Sequence, residues 1–165
     1  MKTIKVGFSK PKAWFVPFSW LIRLCLKTAY SHVYIKTHSD SLNRDIIYQA
    51  SGLQVNFIGN TLFESKEIVV KEFSLNISDE TYTSMMQDSV DIAGDPYSMW
   101  QIFNTLGYLL FKAEFFKNKI AGYDCSRLVA EVLEKDLGYD LPPLSIVTPK
   151  DVYDYLSKKE SNGKT

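Results

Sequence analysis

The stretch YDCSRLVAEVL, Tyr123 to Leu133, sets a cysteine where an amphipathic helix is expected to begin. On helical spacing Leu128, Val129 and Val132 share the face of Cys125. Arg127, Glu131, Glu134 and Lys135 fall on the other, with Glu131 and Lys135 spaced for an i,i+4 ion pair. A thiol in a helix's first turn meets unpaired N–H groups and the positive end of the helix dipole. Both favour a thiolate, and the same N–H groups could form half of an oxyanion hole. A second reading stands beside this one: a free cysteine is a small apolar residue, and a helix start is also a place for core packing. The chain's other cysteine, Cys25 in LIRLCLKT, lies mid-helix and reads as core.

A nucleophilic thiol requires an imidazole within hydrogen-bond reach and a group to orient that ring. His32 and His38 are the two histidines, and both fall on the alternating stretch SHVYIKTH. On a regular strand they would stand roughly 20 Å apart, so they cannot serve one thiol together. His38 lies at the polar turn THSDS and reads as a solvated surface residue, which leaves His32 as the base. The next strand, IYQAS, places the amide of Gln49 between Tyr48 and Ala50. Its oxygen could accept from the His32 ring and fix the tautomer, or it could face solvent; alternation supports both.

The elements that must position these groups follow from hydrophobic period. Residues 3–9 read as a first strand ended by Lys10-Pro11, and 17–29 as a largely apolar helix with a polar stripe at Ser19, Arg23 and Lys27. Residues 32–38, 46–51, 53–58 and 67–75 read as strands joined by short connections, an antiparallel sheet. Helices are expected at 78–93, over a long apolar stretch from Asp95 with Pro96 in its first turn, from Cys125 to a stop at Gly138, and after Thr148 with Pro149 at its first position. The fold class is α+β, one domain over residues 1–157, with 158–165 a frayed, charged tail.

Composition removes several function classes. Nineteen basic and nineteen acidic residues cancel, and no basic stripe with interleaved aromatics offers a nucleic-acid surface. No CxxC or HExxH occurs, so no metal site is expected. The N-terminal apolar run is split by Pro17 and Arg23 and lacks a small-residue cleavage site, so synthesis in the cytoplasm without a signal peptide or transmembrane helix is expected.

YDCSRLV resembles the D-C-S-G-L-V signature of NlpC-type papain-like cysteine peptidases, in which the cysteine opens the central helix. Both histidines precede Cys125, an order similar to the circularly permuted branch, which includes the YiiX-like proteins and the lecithin:retinol acyltransferase group. YSHVYI resembles that branch's histidine strand, IYQASG the strand bearing its third polar residue, GDPYSMWQIF its G-x-x-Y approach to the cysteine, and TPKDVYDYL its closing segment. The resemblance implies a permuted papain-like fold with Cys125 as nucleophile, His32 as base and Gln49 as orienting residue. It also implies Asp124, Ser126 and Tyr97 at the substrate. Arg127 stands where the family has glycine, a long cation expected to narrow the cleft or to favour an anionic substrate.

The implied activity is acyl transfer or hydrolysis at an amide, a peptide (peptidoglycan included) or an ester, through a thioacyl intermediate and without a cofactor. The alternative is a catalytically weak module of the same fold that serves in binding or assembly. Two apolar aromatic stretches, Trp14 to Ala29 and Trp100 to Phe116, read either as core helices or as walls of an acyl-chain site. The first is also a candidate for peripheral membrane contact at 14–29.

Overall fold

The computed structural model describes residues 1–13, 16–111 and 122–163, with the side chain of Leu110 left out. Trp14, Phe15 and much of the stretch 100–116 beyond Phe111 therefore lie outside the described residues. Eleven elements follow in order: β1 (Lys2–Pro11), α1 (Pro17–Leu26), β2 (His32–Ser39), β3 (Arg44–Ser51), β4 (Gln54–Gly59), α2 (Asn60–Lys66), β5 (Glu67–Ile77), α3 (Asp79–Asp91), α4 (Met99–Phe111), α5 (Cys125–Leu137) and α6 (Pro149–Ser161). The strands form one antiparallel sheet in the order β4-β3-β2-β1-β5, so the domain is α+β.

Alternation divides each strand between two faces. Val33 and Ile35 of β2, with Tyr48 and Ala50 of β3, face the main core, which Leu128, Val129, Val132 and Leu133 of α5 and Val152 and Leu156 of α6 complete. Tyr34 and Ile47 face the other way and are covered by Phe63 of α2, a short helix that the sequence pattern did not announce. Gly7 sits opposite Tyr34 in the β1–β2 ladder, where an added Cβ would stand 2.1 Å from the Tyr34 ring.

Three expectations are corrected. Pro96 does not open α4: it pairs with Gln54, Tyr97 pairs with Tyr123, and the helix starts at Met99 with Ser98 Oγ accepting from the Gln101 N–H at 3.3 Å. Lys135 makes its close ion pair with Asp88 of α3 at 2.6 Å, a cross-helix partner that sequence spacing does not reveal, and the expected Glu131 adds only a lesser charge attraction. The tail is ordered further than expected, because α6 runs to Ser161 behind a Thr148–Asp151 capping box and Lys71 bonds Glu160 at 3.1 Å. Lys164 and Thr165 lie outside the described residues.

Candidate active site

Cys125 is the first residue of α5, and Asp124 is its N-cap, accepting from the Arg127 N–H at 2.7 Å. The apolar face of α5 is buried as its spacing predicts, which fixes the height of the helix start against β2 and β3. A strap through Gly94–Ser98 sets the approach. Gly94 and Asp95 exchange backbone hydrogen bonds with Val55, and Tyr97 N–H reaches Leu53. Tyr123 N–H then donates to Pro96 at 3.1 Å, and Ser98 N–H to Tyr123 at 2.9 Å. Gly122 makes this approach feasible: its φ is +85°, and a Cβ there would lie 2.1 Å from the Pro96 carbonyl oxygen.

His32 is the first residue of β2, opposite Ser9 of β1. Its Nε2 lies 2.8 Å from Gln49 Oε1. An amide oxygen only accepts, so Nε2 carries the proton and Nδ1 keeps its lone pair. Gln49 is itself held, its Nε2 donating to Asn56 Oδ1 at 3.3 Å, while Asn56 Nδ2 donates to the Gln54 carbonyl at 3.2 Å. The chain of bonds from a backbone carbonyl through Asn56 and Gln49 to His32 orients both amides and sets the tautomer. Tyr34 and Phe63 flank the imidazole at ring-centroid distances of 6.3 and 6.4 Å.

Cys125, His32, Gln49, Asn56 and Tyr97 all line one cleft of about 510 Å³. The Cys125 thiol also lies against the backbone N–H of Val33, the residue after His32. A resting thiolate is not what this site favours. Burial first, and then the Asp124 carboxylate, push the Cys125 thiol up to about 12, against the opposing pull of the Val33 and Ser126 N–H groups and the Ser126 hydroxyl. Burial likewise pushes His32 down to about 4, outweighing its bond to Gln49. The pair rests as neutral thiol and neutral imidazole, since burial of both groups outweighs the helix terminus.

The remaining expected residues divide. Tyr97 lines the cleft and, through burial first and then the nearness of Cys125 and Asp124, holds its phenolic proton well above the usual range. Asp124 and Ser126 are buried and turn with Cys125 to a smaller, mostly apolar pocket between α1, α4 and α6. Burial raises Asp124 to about 6. Arg127, expected to narrow the cleft or to favour an anionic substrate, points elsewhere: its Nη1 donates to the Gly122 carbonyl at 3.2 Å and its guanidinium lies 5.2 Å from the Tyr123 ring centre. It braces the loop before Cys125 and is not among the residues that line the cleft. Cys25 is half-buried in α1, and His38 is exposed with Nδ1 at 2.9 Å from Asp45.

Two site residues were missed in the sequence. Asn56 was findable: with the turn at Gly52-Leu53, counting back along the hairpin pairs Gln49 with Asn56. Glu67, which burial raises and Ser9 Oγ bonds at 2.9 Å, also lines the cleft, and nothing in its local pattern marks it. Among the described residues no group of three or more His, Cys, Asp or Glu is placed to hold a metal, and no helix is long and apolar enough to cross a membrane. Models of known protein families give no match to the chain, and no curated protein matches it.

Proposed function

We propose that this domain is a permuted papain-like cysteine hydrolase or acyltransferase, with Cys125 as nucleophile, His32 as base and Gln49 as the residue that holds the base. One observation carries the reading. A helix-start thiol lies in the same cleft as an imidazole whose Nε2 is tied to an amide oxygen, leaving the Nδ1 lone pair for proton transfer.

Because both groups rest neutral, the S–H proton passes to His32 Nδ1 as sulfur attacks the carbonyl carbon of an amide or ester. The carbonyl electron pair moves to oxygen, where the Cys125 N–H and the neutral Tyr97 hydroxyl are the available donors, since the Ser126 and Arg127 N–H groups serve Asp124. The imidazolium then protonates the leaving amine or alkoxide, and a thioester remains on Cys125. Water or an acceptor nucleophile, deprotonated by His32, attacks the thioester and restores the thiol. Peptides, peptidoglycan stem peptides and lipid esters all carry a suitable carbonyl.

The test is intact-mass and peptide mapping after exposure to p-nitrophenyl acyl esters. An acyl adduct is expected on Cys125 and not on Cys25, lost in Cys125→Ala and formed about a hundredfold more slowly in His32→Ala. No adduct at Cys125, or an unchanged rate in His32→Ala, sinks the proposal. The raised thiol favours a second reading, a binding module with an inert cysteine, which predicts no adduct at either residue.

A further inference from the structure

The helices α1 and α4 bury polar side chains and leave large aromatic ones exposed. On α1 Ser19 is buried beside Leu26, with its Oγ 2.6 Å from Ser31 Oγ, and half-buried Arg23 donates from Nε to the Ser19 carbonyl at 3.3 Å. The outer stripe carries Trp20 and Leu24, 54% and 58% exposed. On α4 the buried face holds Gln101, Asn104 and Thr105 beside Ile102 and Leu106, with Gln101 and Asn104 donating to the Leu144 and Ser145 carbonyls at 2.8 and 3.0 Å. Trp100, Phe103 and Phe111 stand outside, 62%, 44% and 70% exposed. The two helices meet edge to face through Phe18 and Phe103, ring centres 6.0 Å apart, so their outer residues form one surface. A helix pair facing water has the reverse arrangement.

Charge says what covers this surface. The chain is neutral as a whole, yet from Met1 to Ser39 it carries Lys2, Lys5, Lys10, Lys12, Arg23, Lys27 and Lys36 and no acid, and none stands between Pro96 and Ala113. Lys2, Lys5 and Lys36 pair with Asp40, Glu72 and Asp45, whereas exposed Lys12 and Lys27, which precede and follow α1 in the chain, make no ion pair among the described residues. Exposed tryptophan and phenylalanine together with such cations match the apolar boundary and anionic headgroups of a lipid bilayer. We infer that the joint outer face of α1 and α4 docks on an anionic membrane surface. Phe18, Ile22, Met99 and Ile102 of the same helices line the cleft that holds Cys125, so docking brings the cleft mouth to the lipid. The docking rests on this face and not on the reactivity of the thiol, and the two ideas fail separately.

The experiment is co-sedimentation of the full chain with sucrose-loaded vesicles of phosphatidylcholine, alone or with about 30% phosphatidylglycerol. Binding to the mixed vesicles is expected to exceed binding to the neutral ones by about tenfold or more, with a blue shift of tryptophan emission. Trp20→Ser with Trp100→Ser, confirmed folded by circular dichroism, is expected to weaken binding about tenfold or more. Lys12→Glu with Lys27→Glu is expected to remove the preference for anionic lipid, and Cys125→Ala to bind as wild type does. No binding to either vesicle, or binding that both double variants leave unchanged, overturns the inference. So does a dimer in sedimentation velocity that the tryptophan variant dissociates without any vesicle binding, which would assign the face to a second copy of the chain.

Discussion

Helix α5 and the pair α1 and α4 obey opposite rules. In α5 the apolar residues Leu128, Val129, Val132 and Leu133 lie in the core, and Glu134 and Lys135 lie toward water. In α1 and α4 serine, glutamine, asparagine and threonine are buried beside Leu26, Ile102 and Leu106, while Trp20, Leu24, Trp100, Phe103 and Phe111 stand exposed. The difference separates two tasks. Burial of an apolar face anchors α5 and with it the position of Cys125, whereas α1 and α4 add specific hydrogen bonds of buried polar side chains and keep large apolar residues exposed. A buried polar group is tolerated only where it is bonded, and Ser19, Gln101 and Asn104 meet that condition.

The sharpest way to break this comparison is to cut both kinds of helix. Leu128→Ala should lower unfolding free energy by about 2–5 kcal/mol, because it opens a cavity where nothing is exposed. Urea titration would check it; a loss under about 1 kcal/mol would mean that α5 is not an anchor. Next comes Gly122→Ala, which forces a Cβ against the Pro96 carbonyl at positive φ. A cost of about 2–4 kcal/mol is expected, along with loss of acyl-adduct formation, since the strap that seats Cys125 must move. Unchanged stability would show that the close approach is relieved cheaply.

Asn104→Ala tests the other side and should cost about 1–2 kcal/mol by removing the donor to the Ser145 carbonyl. Leu24→Gln, on the outer stripe of the partner helix, should change stability by less than about 0.5 kcal/mol. If the two substitutions trade magnitudes, α1 and α4 are ordinary helices after all.

Acid behaviour supplies a subtler test. Asp124 is raised from 3.8 to about 6, so between those values the native state holds a proton that the unfolded chain has lost, and stability from this group falls as pH rises. His32 is lowered from 6.5 to about 4, so the unfolded chain is the one that binds the proton, and stability rises with pH across that window. The two opposing contributions offset one another between about pH 4 and 6. Relative to wild type, Asp124→Asn keeps the cap and should make the urea midpoint climb more steeply over that range, while His32→Gln should make it fall. Parallel curves for all three proteins would show that neither group is buried as described.

Much of this was open to reading before the tertiary structure. The alternation in SHVYIKTH separates Val33 and Ile35 from His32, the period of SRLVAEVL predicts the buried face of α5, and Thr148-Pro149 marks the start of α6. The pairing of Gln49 with Asn56 follows from the hairpin turn, although Asn56 was passed over. What hid was set by distant partners. Arg127 was expected to narrow the cleft or to favour an anionic substrate and instead braces Gly122 and Tyr123, because a long side chain goes where an acceptor and a ring lie, not where its neighbour points. Spacing marked Ser19, Arg23 and Lys27 as a polar stripe of α1, but period alone cannot say which side of a helix the rest of the fold will cover, and Ser19 is buried while Lys27 is exposed.

The sequence by itself determined the strands, the helix that begins at Cys125 and the small set of residues able to do thiol chemistry. Those are local matters of spacing, capping and side-chain type. The tertiary structure alone decided that His32, Gln49 and Cys125 share one cleft, that the thiol and imidazole rest neutral there, and that α1 and α4 turn their aromatic residues outward. Burial, dielectric and the choice of exposed face depend on which atoms from far along the chain come to lie beside a group, and no local pattern carries that information.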